Sequence, residues 1–214
     1  MKLKYWISCG LQTLLYVVLA TSVYGLMMTL QMSNMDWMDL LMMLPIYLLL
    51  FGAMMQMAMT IGVYKLSLNL VLSFGSTRNE ALLGLQLLRL IPALGTTALV
   101  CILLALAGEN ALFSPGAVLP AALGVSLACG ACGTVIGVAY ARFGKLATVL
   151  TVLVMVALGI TGGVLAVMSS ETQWLQYLVS HIGFSWLALG IGLILYGVAM
   201  IPEHRTVWKY SVRM

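Results

Sequence analysis

The sequence predicts an all-α membrane protein, a single transmembrane domain of six helices with both termini in the cytoplasm. Three observations carry this. Apolar residues fill 63% of the 214 positions and charged residues only 7%, whereas soluble domains carry roughly a quarter charged residues. Six apolar stretches are each long enough to cross a bilayer. When the chain is threaded through those stretches, all ten Lys and Arg fall on one side, and cationic loops stay in the cytoplasm.

The helix rise is about 1.5 Å per residue, so about 20 apolar residues span the ~30 Å hydrocarbon layer. Stretches at about 6–30, 40–64, 88–107, 117–140, 147–168 and 184–201 meet this length. They are continuous and lack the alternation of membrane strands, which selects helices over a barrel. The start Met1-Lys2-Leu3-Lys4 has the charge of a secretory signal. The apolar run from Trp6 to Leu30 is longer than a signal core of roughly 7–15 residues, so it reads as a retained first span. Pro115 and Pro120 mark the start of the fourth span and Pro202 the end of the sixth, while Pro45 and Pro92 predict kinks within runs.

Orientation follows from the cations. Lys2 and Lys4 precede the first span, and Lys65, Arg78 and Arg89 bracket the second connection. Arg142 and Lys145 lie in the fourth connection, and Arg205, Lys209 and Arg213 in the tail. The opposite connections hold Asp36, Asp39, Glu109 and Glu171 without a Lys or Arg. Basic residues spread over separate segments make no patch for nucleic acid. Trp6, Trp37, Trp174 and Trp186 fall near the span edges, where an amphipathic ring is favoured. Gly124, Gly130, Ala131, Gly133 and Gly137, then Gly159, Gly162 and Gly163, then Gly190, Gly192 and Gly197 predict close helix contacts.

The spans carry no ionisable residue well inside them, which argues against an ion-coupled transporter. His181 and His204 fall on opposite sides, which excludes haem ligation within the bilayer. Ser126 is the most central serine of the fourth span and has no basic partner. Paired aspartates and an HExxH are missing, so no catalysis is expected of this chain alone. Eleven of sixteen Met lie between Met27 and Met59. Thioethers bind Cu(I), but no His or Cys accompanies this group. It serves packing, or a flexible wall for an amphipathic substrate. Cys129 and Cys132 share a helix face among Leu, Ala and Gly, and read as a helix contact rather than a metal or redox site.

The connection from Lys65 to Leu87 is the most informative. Thr77 and Glu80 have capping-box spacing, and Gly75 and Ser76 supply a turn before them. A helix is predicted to start at Arg78, with Leu82, Leu83 and Leu87 on its apolar side. Lys65–Leu72 is apolar enough to continue the second helix. Two arrangements use these residues: a helix extending into the cytoplasm, a sharp turn and a short capped helix, or a capped re-entry helix lying on the headgroups.

The segment FGSTRNEALLGLQLLR, placed between the second and third of six spans, resembles the coupling region of type-2 ABC exporter permeases. The resemblance implies that Gly75, Ser76, Thr77, Arg78, Asn79 and Glu80 open a short cytoplasmic coupling helix that docks on an ATPase. It implies a cytoplasmic ABC ATPase subunit carrying ATP and Mg, a second permease subunit, identical or related, and a place in the bacterial cytoplasmic membrane. It also implies a short external helix between the fifth and sixth spans. Trp174, Leu175, Leu178, Val179 and Ile182 recur at helical spacing there and would lie in the outer interface. The family's usual amphipathic helix before the first span has only five residues available here. No Walker A sequence is present, so any ATPase is a separate chain. A non-transporting immunity or sensor protein, or a six-span substrate-binding subunit of an uptake system, are the alternative expectations.

Overall fold

The computed structural model describes residues 2–31, 37–64, 77–108, 115–144, 149 and 182–209. They form five helices: α1 (Lys2–Gln31), α2 (Trp37–Gly62), α3 (Arg78–Ala107), α4 (Pro115–Phe143) and α5 (Ile182–Lys209). Each contains a segment long and apolar enough to cross a membrane, and the described residues contain no strand. The expected fifth span at 147–168 lies outside the described residues apart from Val149. So do Gly75, Ser76 and four of the five expected outer-interface residues, Trp174, Leu175, Leu178 and Val179. The remaining one, Ile182, is the first residue of α5.

Contacts at glycine fix the directions of the helices. Trp6, Gly10 and Leu14 of α1 meet Gly84, Ile91 and Gly95 of α3 in the same order, so these two run parallel. Gly52 of α2 faces Thr96 while Gln56 bonds to Arg89, so α2 runs antiparallel to α3. Along α4, Gly133 meets Met57 and Thr60, and Gly137 meets Tyr64, which makes α4 parallel to α2. Gly124 meets Ala188 and Gly192, and Arg142 reaches Thr206, so α4 and α5 are also parallel. The first turns of α1 and the last turns of α5 share one end of the bundle. There Trp6, Tyr64, Ala81, Leu85, Leu88, Val138 and Val207 form a buried cluster. Lys4, Arg78, Arg142 and Arg205 also belong to it, so we call it the basic end. A second cluster of Val17, Leu48, Val100 and Leu104 fills the bundle towards the opposite end.

Gly159, Gly162 and Gly163 lie outside the described residues; among the described glycines the predicted contacts form within the chain, with two exceptions. A Cβ at Gly133 would stand 3.0 Å from the Met57 carbonyl oxygen, and one at Gly130 2.8 Å from Gln56 Nε2. Gly124 and Gly192 bring the α4 and α5 backbones into direct contact. Gly190 and Gly197 instead face open space. They stand two and five residues from Gly192, off the face that meets α4. Trp6, expected at the interface, is buried against Gly84.

Two boundaries differ from expectation. Pro202 does not end the last helix, which runs on to Lys209. Proline costs a helix interior about 3 kcal/mol, but within lipid a broken helix exposes backbone groups that have no water to bond. The Thr206 hydroxyl donates to the Pro202 carbonyl at 2.7 Å, and Glu203, the next residue, is anchored inside the bundle. Nor is the capped segment at Arg78 a separate short helix. Its capping box is present, with Glu80 N–H donating to Thr77 Oγ1 and Thr77 N–H to the Glu80 carboxylate. The helix it opens then continues through Pro92 to Ala107, because Ala81, Leu85 and Leu88 stay buried along one face and no proline separates the capped turn from Arg89.

The glycine contacts predict a contrast. Gly192→Ala forces the α4–α5 backbones apart and costs about 1–3 kcal/mol. Gly190→Ala and Gly197→Ala, in open space, gain up to about 1 kcal/mol of helix propensity. Thermal unfolding in detergent should show a lowered midpoint for the first and an unchanged or raised midpoint for the other two.

Candidate functional site

Polar residues converge where α2, α3, α4 and α5 meet, next to the basic-end cluster. Gln86 and Arg89 lie three residues apart and so share a face of α3. Tyr196 and Glu203, seven apart, share a face of α5. Thr134 lies on the α4 face that also carries Gly130, Gly133 and Gly137. Gln56 comes from α2, which closes on a π-helical turn at Val63–Tyr64. Such turns widen a helix by one residue and recur at functional positions.

At the centre is a buried ion pair. Arg89 and Glu203 have side chains each 1% exposed. Arg89 Nη2 donates to both Glu203 oxygens, at 2.6 Å to Oε1 and closer still to Oε2. Nη1 donates to Thr134 Oγ1 at 2.7 Å, and Nε to the Leu85 carbonyl at 3.2 Å. Glu203 also accepts from the Tyr64 hydroxyl at 2.8 Å and from Gln86 Nε2 at 3.1 Å. The Tyr196 hydroxyl donates to Gln86 Oε1, and the Arg89 guanidinium stands 5.2 Å from the centre of the Tyr196 ring. Gln56 Nε2 donates to the Arg89 carbonyl at 2.9 Å. Two buried polar atoms, Gln56 Oε1 and Ser126 Oγ, have no partner among the described residues.

This arrangement corrects the expectation that the spans hold no ionisable residue. The sequence puts Arg89 at the edge of the second connection and Glu203 just beyond Pro202, the expected end of the sixth span. The helices α3 and α5 each continue farther than expected and carry both charges into the bundle, where each satisfies the other. A buried pair is strongly destabilising only when one partner is missing. Glu203 accepts from three side chains and Arg89 donates to four acceptor atoms, so both groups are engaged inside the bundle. The chemistry open to the cluster is mechanical: it ties four helices into one register.

Thr77, Arg78, Asn79 and Glu80 stand at the basic end, on the first turn of α3 and its cap. Arg78 lies over the Trp208 ring of α5, 5.6 Å from its centre. Arg89 is eleven residues along the same helix from Arg78, about 16 Å by helix rise. Ser126 is buried on α4, Cys129 is half-buried and Cys132 exposed, both as free thiols. Among the described residues, no group of three His, Cys, Asp or Glu could hold a metal ion.

Among the described residues, the fold and the site define an all-helical arrangement with five helices suited to crossing a membrane, clamped internally by a charge cluster. Comparison with protein-family models, curated proteins and solved structures finds no match.

Removing one partner of the cluster should be far costlier than removing both. Arg89→Met or Glu203→Met alone leaves a buried uncompensated charge and costs about 3–5 kcal/mol, while the double variant recovers most of that. A double-mutant cycle of unfolding midpoints in detergent measures the coupling. Tyr64→Phe, which removes one hydrogen bond to a charged group, should cost about 1.5–3 kcal/mol.

Proposed function

We propose that this chain is the membrane-spanning permease subunit of an ATP-driven ABC exporter. Two such subunits, identical or related, would work with two cytoplasmic ATPases and move an amphipathic substrate such as a peptide or lipid. The observation that carries this reading is the continuity of α3. A capped first turn at the basic end, carrying the Thr77-Arg78-Asn79-Glu80 sequence, belongs to the same rigid helix as Arg89. A displacement applied at Thr77–Glu80 reaches Arg89 without a hinge and passes through Glu203 to α5, through Thr134 to α4 and through Gln56 to α2.

The topology supports the same reading. Helix α4 ends at the basic end, and α5, parallel to it, begins at the opposite end. The fifth span expected at 147–168 would return the chain between these two ends, and six spans with both termini on one side agree with that arrangement. The cations of that side assign it to the cytoplasm. ATP hydrolysis belongs to the partner subunit.

The test is affinity purification of the tagged protein from its native membrane in mild detergent, followed by mass spectrometry. The expected outcome is a stoichiometric ATPase that is lost when residues 75–80 are replaced by a Gly-Ser linker. Tyr64→Phe should keep the ATPase bound and reduce substrate-stimulated ATP hydrolysis severalfold. A well-folded preparation with no ATPase would overturn the exporter reading and favour an immunity or sensor protein.

A further inference from the structure

At the basic end, α3 and α5 do not close on each other. A groove of about 730 Å³ runs between them, lined by Asn79, Leu82, Leu83 and Gln86 on one side and by Met200, Ile201, Glu203, His204 and Arg205 on the other. Its chemistry is divided. Leu83 is 59% exposed and Ile201 57%, so the groove presents apolar walls. One guanidinium, that of Arg205, stands in its wall. The carboxylate in the groove wall does not oppose an anion, because Glu203 is paired with Arg89. Arg205 has no carboxylate partner among the described residues.

The depth of the groove narrows the choice of occupant. Trp186 and Trp208 are both exposed on α5 and lie 22 residues apart, or about 33 Å by helix rise. That matches the ~30 Å hydrocarbon layer, so the two rings mark its two interfaces. Residues 200–205 then lie roughly 5–12 Å inside the basic-end interface, with Arg205 nearest the headgroups and Met200 among the acyl chains. A free phosphate needs no apolar wall, and a soluble protein does not reach into a leaflet.

We propose that this groove binds an anionic phospholipid from the leaflet at the basic end. The phosphate meets Arg205, and an acyl chain lies along Leu82, Leu83, Met200 and Ile201. Basic pockets between membrane helices on the cytoplasmic side hold anionic headgroups through the same charge pairing. The proposal rests on the chain spanning a membrane and is independent of the exporter reading.

The experiment titrates the detergent-purified full-length chain with phosphatidylglycerol, with phosphatidylcholine of the same acyl chains, and with inorganic phosphate, following bound lipid by native mass spectrometry. Phosphatidylglycerol is expected to be retained in preference to phosphatidylcholine, with Arg205→Gln weakening that retention about fivefold. Lys4→Gln removes an equal charge on α1, away from the groove, and should leave retention unchanged. Leu83→Ala with Ile201→Ala, which shortens both apolar walls without adding a polar group to the leaflet, should weaken retention of both lipids. Equal retention of the two lipids would overturn the proposal. So would an equal loss in Lys4→Gln, competition by inorganic phosphate alone, or a Leu83/Ile201 variant that loses a copurifying protein and keeps its lipid.

Discussion

Arg89 and Glu203 are buried together inside the bundle, each side chain 1% exposed, and most of the basic half of the bundle follows from that. An isolated charge in such a place costs several kcal/mol, so each helix that supplies a partner is held to the position at which its partner is useful. Glu203 draws Tyr64 from α2 and Gln86 from α3, while Arg89 draws Thr134 from α4. A shift of α5 by one turn would strand both charges together. The continuation of α5 past Pro202 has the same cause, because ending the helix there would withdraw Glu203 from its partners.

Close approach of backbones makes such short side chains sufficient. Thr134 reaches Arg89 and Gln56 reaches the Arg89 carbonyl because Gly130, Gly133 and Gly137 let α2 lie almost against α4. A side chain at Gly130 would displace Gln56, and one at Gly137 would displace the Tyr64 ring. One face of α4 therefore does two things at once: its glycines set the spacing and its threonine accepts the charge-assisted hydrogen bond. Packing and electrostatics cannot be optimised separately here. In lipid, with no hydrophobic force between helices, this coupling of small residues to polar contacts is what holds a bundle together.

The helices and their glycine seams were legible in the sequence because hydropathy and small-residue spacing are local patterns. The Thr77–Glu80 cap was legible for the same reason. The cluster was not. Arg89 and Glu203 are 114 positions apart, and each was read against its immediate neighbours: Arg89 as the edge of a loop, Glu203 as part of a tail after a proline. Their complementarity exists only across the bundle. A signal was available in the polar residues at helical spacing, with Gln86 and Arg89 three apart and Tyr196 and Glu203 seven apart at the ends of two apolar runs. A proline near the end of a membrane helix is also weaker as a stop than the same proline in water.

The two ends of the bundle hold together by different means, and this decides where movement is cheap. At the basic end, displacement breaks directional bonds to charged groups, and each loss is abrupt. Towards the opposite end, α1, α2 and α3 meet through Val17, Leu48, Val100 and Leu104, whose contacts depend on area and change gradually as surfaces slide. A force delivered to the first turn of α3 therefore moves the clamped basic end as one body and is relieved by sliding among the apolar contacts beyond it. On the exporter reading, the charge cluster is the pivot and the pathway opens on the far side of it. Ionisable residues in this chain then serve leverage rather than ion binding, which removes the conflict between a buried Arg–Glu pair and a transporter driven by ATP instead of an ion gradient.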